Sequence, residues 1–264
     1  MASPYKIDME RVFDNTHNLI QLAIEQGKLP RYVYKYRGLK ETKMILQRGT
    51  IYFSKLSQFN DPFEGKALLD HNYTLQDWIK FFTKNGYSAT DARHMANDCL
   101  NNPNACNIVE EAINHILDNM GYFCLAKKPD NLLMWSHYTN EHKGCVVEFD
   151  LLQCLPIIEK VFAVIYDNNY ITYNYLRADD GPLRSIIHKS IDWSYEEEYR
   201  IINKEVGVVD IPDNAITSII LGCRMLQRNK TTIKNLVLKS KFNTITLKQA
   251  QLNPSSYKLD IVQL

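Results

Sequence analysis

No apolar run in this chain approaches the roughly 20 residues that a membrane-spanning helix needs. A secretion signal is not expected either, because Lys6, Asp8, Glu10 and Arg11 interrupt the first residues and no long apolar stretch follows. No C-x-x-C pair joins the six cysteines, Cys99, Cys106, Cys124, Cys145, Cys154 and Cys223. Without ligand spacing a zinc site has little to stand on, and no metal is expected. Thiols scattered through apolar or strand-like surroundings read as reduced core cysteines of a cytoplasmic protein. P-loop, G-x-G-x-x-G, H-E-x-x-H and G-x-S-x-G patterns are all missing, which removes the most recognisable enzyme classes without excluding catalysis. Excess charge is lacking too: the net charge is +1, so bulk electrostatics announces no nucleic-acid partner. Internal repeats and low-complexity tracts are absent.

What is present is 264 residues with 45% hydrophobic content, enough to bury a core without disulfides or metals. One domain over 1–264 is expected. Val12, Leu19, Leu22 and Ala23 give 9–26 an amphipathic helical pattern within an N-terminal segment 1–30. Tyr32, Tyr34 and Tyr36 alternate with Val33 and Lys35 as in a strand. A helix over 39–48 capped by Gly49 and a strand over 50–54 follow. Residues 74–119 read as an inserted helical lobe interrupted near Pro103. Beyond it, strands are expected over 122–126, 144–149, 161–166, 199–202, 218–221, 244–247 and 259–262, with helices over 132–138, 182–190 and 226–237. The segment 214–264 would complete the sheet. This mixed order predicts an α+β fold rather than a doubly wound one.

Several groups could carry chemistry. Arg37 ends the tyrosine-rich strand before Gly38, where its donor fork suits a phosphate or ribose; pairing with an edge carboxylate is the plainer alternative. Tyr52-Phe53-Ser54, with Ser57 nearby, puts hydroxyls at a strand end, for ligand orientation or simple turn formation. Asn60-Asp61-Pro62 is turn chemistry, with Asp61 expected to accept local backbone N–H groups and to set Phe59, Phe63 and Glu64. If the strand after Glu196-Glu197-Glu198 extends backwards, Glu196 and Glu198 share one face. Two such carboxylates suit a developing cation, or they form a solvated charge run. Met134-Trp135-Ser136-His137-Tyr138 offers His137 as base, ligand contact or hydrogen-bonded residue under an aromatic layer. Finally, 214–257 holds Arg224, Arg228, Lys230, Lys234, Lys239, Lys241 and Lys248 but no Asp or Glu. That is either a lysine-decorated surface or a basic face for an acidic partner.

In order along the chain, Tyr34-Lys35-Tyr36-Arg37, Ile51-Tyr52-Phe53-Ser54, Phe59-Asn60-Asp61-Pro62-Phe63-Glu64, Met134-Trp135-Ser136-His137-Tyr138, His142-Lys143-Gly144 and Trp193 with Glu196-x-Glu198-Tyr199-Arg200 resemble the motifs of a bacterial and phage-associated family. That family is known as a domain of unknown function. More remotely, an Arg on a first strand, a Ser on a second and a late E-x-E resemble the ADP-ribosyltransferase superfamily. Tyr36-Arg37-Gly38-Leu39-Lys40, running on to Gly49, also looks like that superfamily's opening.

The second resemblance implies an ADP-ribosyltransferase-like mixed, split sheet and NAD as co-substrate. Arg37 would grip the nicotinamide ribose or phosphate, and Ser54 would support the nicotinamide side. Glu198 would bond the ribose 2′-hydroxyl with Glu196 as accessory carboxylate, and Tyr36, Tyr52 and His137 would line the pocket. Two features depart from the superfamily's pattern: Ser54-Lys55-Leu56-Ser57 replaces a compact Ser-Thr-Ser, and the 74–119 insertion has no counterpart. The implied activity is transfer of ADP-ribose to an unknown macromolecule, acidic or nucleic acid if bound through 224–248, or hydrolysis of NAD. Alternatives are a non-catalytic binding or regulatory module of a phage-associated or defence system, and a nucleic-acid-acting toxin.

Overall fold

A computed structural model describes residues 16–178, 181–242 and 244–264. The part of the expected N-terminal helix before Thr16, Val12 included, lies outside the described residues. In chain order the elements begin α1 (Thr16–Glu25), β1 (Tyr32–Arg37), α2 (Leu39–Arg48), β2 (Thr50–Phe53) and β3 (Leu68–Leu69). Three helices follow, α3 (Leu75–Lys84), α4 (Ala89–Asn101) and α5 (Ala105–Asn119). Next come β4 (Gly121–Ala126), α6 (Leu132–Tyr138), β5 (Cys145–Asp150), α7 (Leu151–Cys154), β6 (Lys160–Ala163), β7 (Ile165–Asp167) and β8 (Thr172–Tyr173). The chain closes with α8 (Gly181–Ile187), β9 (His188–Ser190), β10 (Glu198–Asn203), β11 (Gly207–Asp210), β12 (Ile216–Leu221), α9 (Gln227–Lys239), β13 (Thr246–Leu252) and β14 (Leu259–Gln263). The α+β expectation holds.

The contacts divide the chain into two units. One combines Lys55–Met120 with Ile165–Ile191, so the helical stretch 74–119 belongs to a larger body that also takes in 55–73 and 165–191. Thr74 starts α3 with a reciprocal cap, its hydroxyl accepting from the Asp77 amide and Asp77 accepting from the Thr74 amide at 2.8 Å. Val109, Ile113 and Leu117 recur every fourth residue on the buried side of α5. Asp61 accepts from the Phe63 amide at 2.9 Å, the local turn its sequence predicts. Two sequence expectations fail here. The helix expected over 182–190 stops at Ile187, and His188–Ser190 instead pairs in parallel with Ile165–Asp167. That pairing also divides the strand expected over 161–166 at Val164.

The second unit holds the large sheet, ordered β14-β13-β12-β5-β1-β4-β10-β6. Among the described residues of this sheet only β12 and β13 pair in parallel, and β12, β13 and β14 form one end of it. One face carries Val33, Phe123, Val147, Phe149, Tyr199 and Ile201, packed with Ile45 and Leu46 of α2. The other carries Tyr36, Val146 and Ile220, covered by Met134 and Trp135 of α6. Helix α2 places Thr42, Ile45 and Leu46 inward and ends at Gly49, whose φ of 67° lets its amide return to Ile45 at 2.8 Å.

Candidate functional site

The sheet is not continuous at its centre. Strand β1 pairs along its whole length with β5, from Tyr32–Asp150 to Arg37–Cys145. With β4, among the described residues, it pairs only at Tyr34–Ala126. At the start of β4 its place is taken by Ser54, which exchanges two backbone hydrogen bonds of 2.9 Å with Tyr122. Between these two pairings β1 and β4 part, and Lys35 fills the gap by donating to the carbonyl of Cys124.

Side-chain direction then follows from alternation along each strand. Tyr34, Ala126 and Glu198 are register partners and share a face. Lys35 and Arg37 leave β1 on the opposite one, with Val33. By alternation Arg37 and Glu198 thus leave their strands on opposite faces, yet where β1 and β4 part both lie close to Cys124, which acts on Arg37 and hydrogen-bonds Glu198. Sequence order says nothing about this parity, because it depends on how β1, β4 and β10 are aligned.

Arg37 is half-buried and makes no hydrogen bond or ion pair with another side chain among the described residues. Burial pulls its guanidinium down from the ordinary value, and Cys124 and then the carboxylate of Glu41 offset part of this. Gly144 makes room at this strand end, since a Cβ there would lie 2.2 Å from the Arg37 carbonyl oxygen. Lys35 lies with its ammonium 4.8 Å from the centre of the Phe123 ring. Burial and then Arg37 lower it to about 7, while Cys124, Glu198 and Glu196 act in the other direction.

The two carboxylates are both buried, yet differently held. Glu198 opens β10 and accepts from Arg200 at 2.8 Å (Nε to Oε1) and 3.1 Å (Nη2 to Oε2), a forked pair between residues on the same strand face. Glu196 accepts from the Tyr138 hydroxyl at 2.7 Å. It does not extend β10, because Glu197 has φ 42° and turns the chain between them. Glu196 belongs instead to a short 3₁₀ segment over Ile191–Glu196. The shared strand face expected of the pair is thus replaced by a bend.

The remaining residues named from sequence divide between core and surface. Tyr36 is buried, donates to the Lys128 carbonyl at 2.8 Å and meets Trp135 edge-on at 5.7 Å. Tyr52 is exposed on β2, opposite Val208 of β11. His137 is also exposed rather than buried and hydrogen-bonded, because Met134 and Trp135 take the inward positions of α6 and the residue two further on points away. The histidine against the aromatic layer is His142, whose ring stacks on Trp135 at 6.1 Å and 9°. Its Nδ1 is buried without a hydrogen-bond partner, and burial, then Arg224, lowers its pKa. It ends a run of left-handed residues, Asn140, Glu141 and His142 at φ 51°, 57° and 65°.

The model of a family described as "Protein of unknown function (DUF2971)" matches residues 134–201. No curated protein matches the chain. The matched stretch begins at Met134 and reaches Ile201, so it contains the α6 aromatics, His142, Glu196, Glu198 and Arg200. Arg37 and Ser54 lie outside it.

Lys35, Arg200, Tyr138 and His142 stand in the motifs read from the sequence but were given no role in the site there. For Lys35 a signal existed: it occupies an inward position of an alternating strand, between Val33 and Arg37. The forked partnership of Arg200 had a weaker signal in its spacing of two residues from Glu198.

Within this unit α9 carries Arg228, Lys230, Lys234 and Lys239 of the basic segment, while Arg224, Lys241 and Lys248 lie outside it. Lys241 approaches Asp213 at 3.5 Å and Lys248 approaches Glu148 at 3.1 Å, while Arg228, Lys234 and Lys239 face solvent. Among the described residues no group of three or more His, Cys, Asp or Glu could hold a metal ion. No helix is long and apolar enough to cross a membrane, again among the described residues.

Proposed function

We propose that the chain is an NAD-using, ADP-ribosyltransferase-like protein that receives its nucleotide where β1 and β4 part. The observation that carries this reading is Arg37: a half-buried guanidinium at that parting, with no carboxylate bonded to it among the described residues. A buried cation without a counter-ion is costly, and an anionic ligand supplies the missing charge. The divided sheet supports the split core that the superfamily resemblance implies, and Ser54 borders the same division.

In this reading the bond between ribose C1′ and the nicotinamide nitrogen breaks, its electron pair leaving with nicotinamide. Positive charge develops on the ribose and is met by the carboxylate of Glu198, with Glu196 held beside it by Tyr138. The acceptor, a macromolecule or water, then bonds to C1′ and loses its proton. The basic face of α9 suits an acidic or nucleic-acid acceptor.

One observation favours a second reading, a nucleotide-binding module without catalysis: Glu198 is sealed in the sheet and committed to Arg200. Labelled NAD separates the two. The transferase reading expects consumption of NAD that Glu198→Gln abolishes and weaker NAD binding in Arg37→Ala. Binding without consumption gives the second reading, and absence of binding defeats both.

A further inference from the structure

Arg37 is not alone in the parting of the strands. Lys35 leaves β1 on the same face, two residues earlier, about 6.6 Å back along the strand. Its hydrogen-bond partner is a backbone carbonyl, that of Cys124, and its other close neighbour is the face of the Phe123 ring. Among the described residues no carboxylate forms a salt bridge with either cation. Two like charges, both largely withdrawn from water, thus stand side by side without a bound counter-ion. Folding gains nothing from that arrangement, since like charges in a poorly solvated site repel more strongly than in water. A methionine or leucine at position 35 would fill the same space between β1 and β4 at lower cost.

We propose that Lys35 is a second phosphate-binding group, acting together with Arg37 on one phosphate-bearing ligand held between β1 and β4. This rests on the reading of Arg37 given above and adds the class of ligand: a diphosphate or a nucleotide carrying one, whose two phosphoryl groups match two donors spaced along a strand. Arg37 supplies a planar donor fork, and Lys35 a compact charge with donors to spare beyond the one given to Cys124.

The groups around Lys35 determine how the pair responds to pH. From β1 it faces Arg37; from β4, the carbonyl and thiol of Cys124 and the Phe123 ring; from β5, the apolar Val147 opposite it in register. The carboxylates of Glu198 and Glu196 act on it from β10 and the preceding 3₁₀ segment. With burial and Arg37 prevailing, Lys35 loses its proton at about 7 in the empty protein. A bound phosphate favours the ammonium form and so restores the proton. Binding above neutral pH must therefore take up a proton, and affinity falls as pH rises, by up to about tenfold per unit.

Calorimetric titrations with inorganic pyrophosphate and with NAD, each in two buffers of different ionisation enthalpy, test this. At pH 8 the wild-type protein is expected to take up close to one proton per ligand bound. Its affinity for pyrophosphate should drop about tenfold from pH 7.5 to 8.5. Lys35→Met should bind more weakly and lose both proton uptake and pH dependence, while Lys35→Arg, which keeps a fixed charge, should bind without the pH dependence. Pyrophosphate binding with these properties but no NAD binding would keep the phosphate site and remove the NAD reading. NAD binding that ignores pH and both Lys35 variants would do the opposite. If neither compound binds, the phosphate-site proposal is overturned along with the NAD reading.

Discussion

Glu198 and Arg200 project from the same face of β10 and are joined by two hydrogen bonds, so a buried carboxylate is matched by a fully buried guanidinium two residues along the strand. Removing one charge takes from the other a partner bonded to it inside the sheet. Glu198→Gln is expected to destabilise the fold by about 3–5 kcal/mol. Replacing both, as Glu198→Gln with Arg200→Met, should recover most of that loss in urea denaturation without restoring any consumption of NAD. If the single variant melts like wild type, the pair contributes little, and any activity lost in that variant reports on chemistry alone.

Trp135 is completely buried between Tyr36 and His142. Trp135→Ala should cost about 3–5 kcal/mol. His137 points outward from the same helix, so His137→Ala should change stability by no more than about 0.5 kcal/mol. Denaturant midpoints of the two variants give the contrast, and a large loss in His137→Ala would contradict the outward placement.

The pH dependence of stability should carry the signature of Lys35. Its folded pKa of about 7 lies below its ordinary value of 10.5. Between these values the unfolded chain binds more protons than the folded one, so stability rises with pH through this window. Below about 7 both states hold the proton and the contribution is at its least favourable. The melting temperature of wild type relative to Lys35→Met should therefore increase from pH 7 to pH 9. Parallel pH profiles would place Lys35 in ordinary solvent.

Asp61 is buried and satisfies the amide of Phe63. Asp61→Ala should cost about 1 kcal/mol for the lost hydrogen bond, more if the orphaned amide stays buried. Asp61→Asn, which retains an acceptor oxygen, should recover most of it. Equal stability of all three proteins would mean that Pro62 and its neighbours hold the turn without the carboxylate.

Local chemistry was readable from the sequence wherever it is sufficient to decide structure. Gly49 ends α2 because a left-handed residue is needed there and glycine supplies it. The Asp61 turn depends on a bond between residues two apart, and the α5 stripe on a period that the sequence carries openly. Even the α+β class follows from such patterns. Strand parity does not. Whether Arg37 and Glu198 leave their strands on one face depends on the pairings Tyr34–Ala126 and Ala126–Glu198, formed between residues far apart in the chain. Shifting either by one residue would reverse the answer. The left-handed φ of Glu197 is equally hidden, since a glutamate announces no turn, and it decides that Glu196 does not continue β10. The sequence by itself determined which residues are cationic, acidic and aromatic and where helices such as α2 and α5 run. Tertiary structure decided that the Lys35 ammonium meets the Cys124 carbonyl and the Phe123 ring, because those neighbours belong to β4, a strand far along the chain that parts from its own.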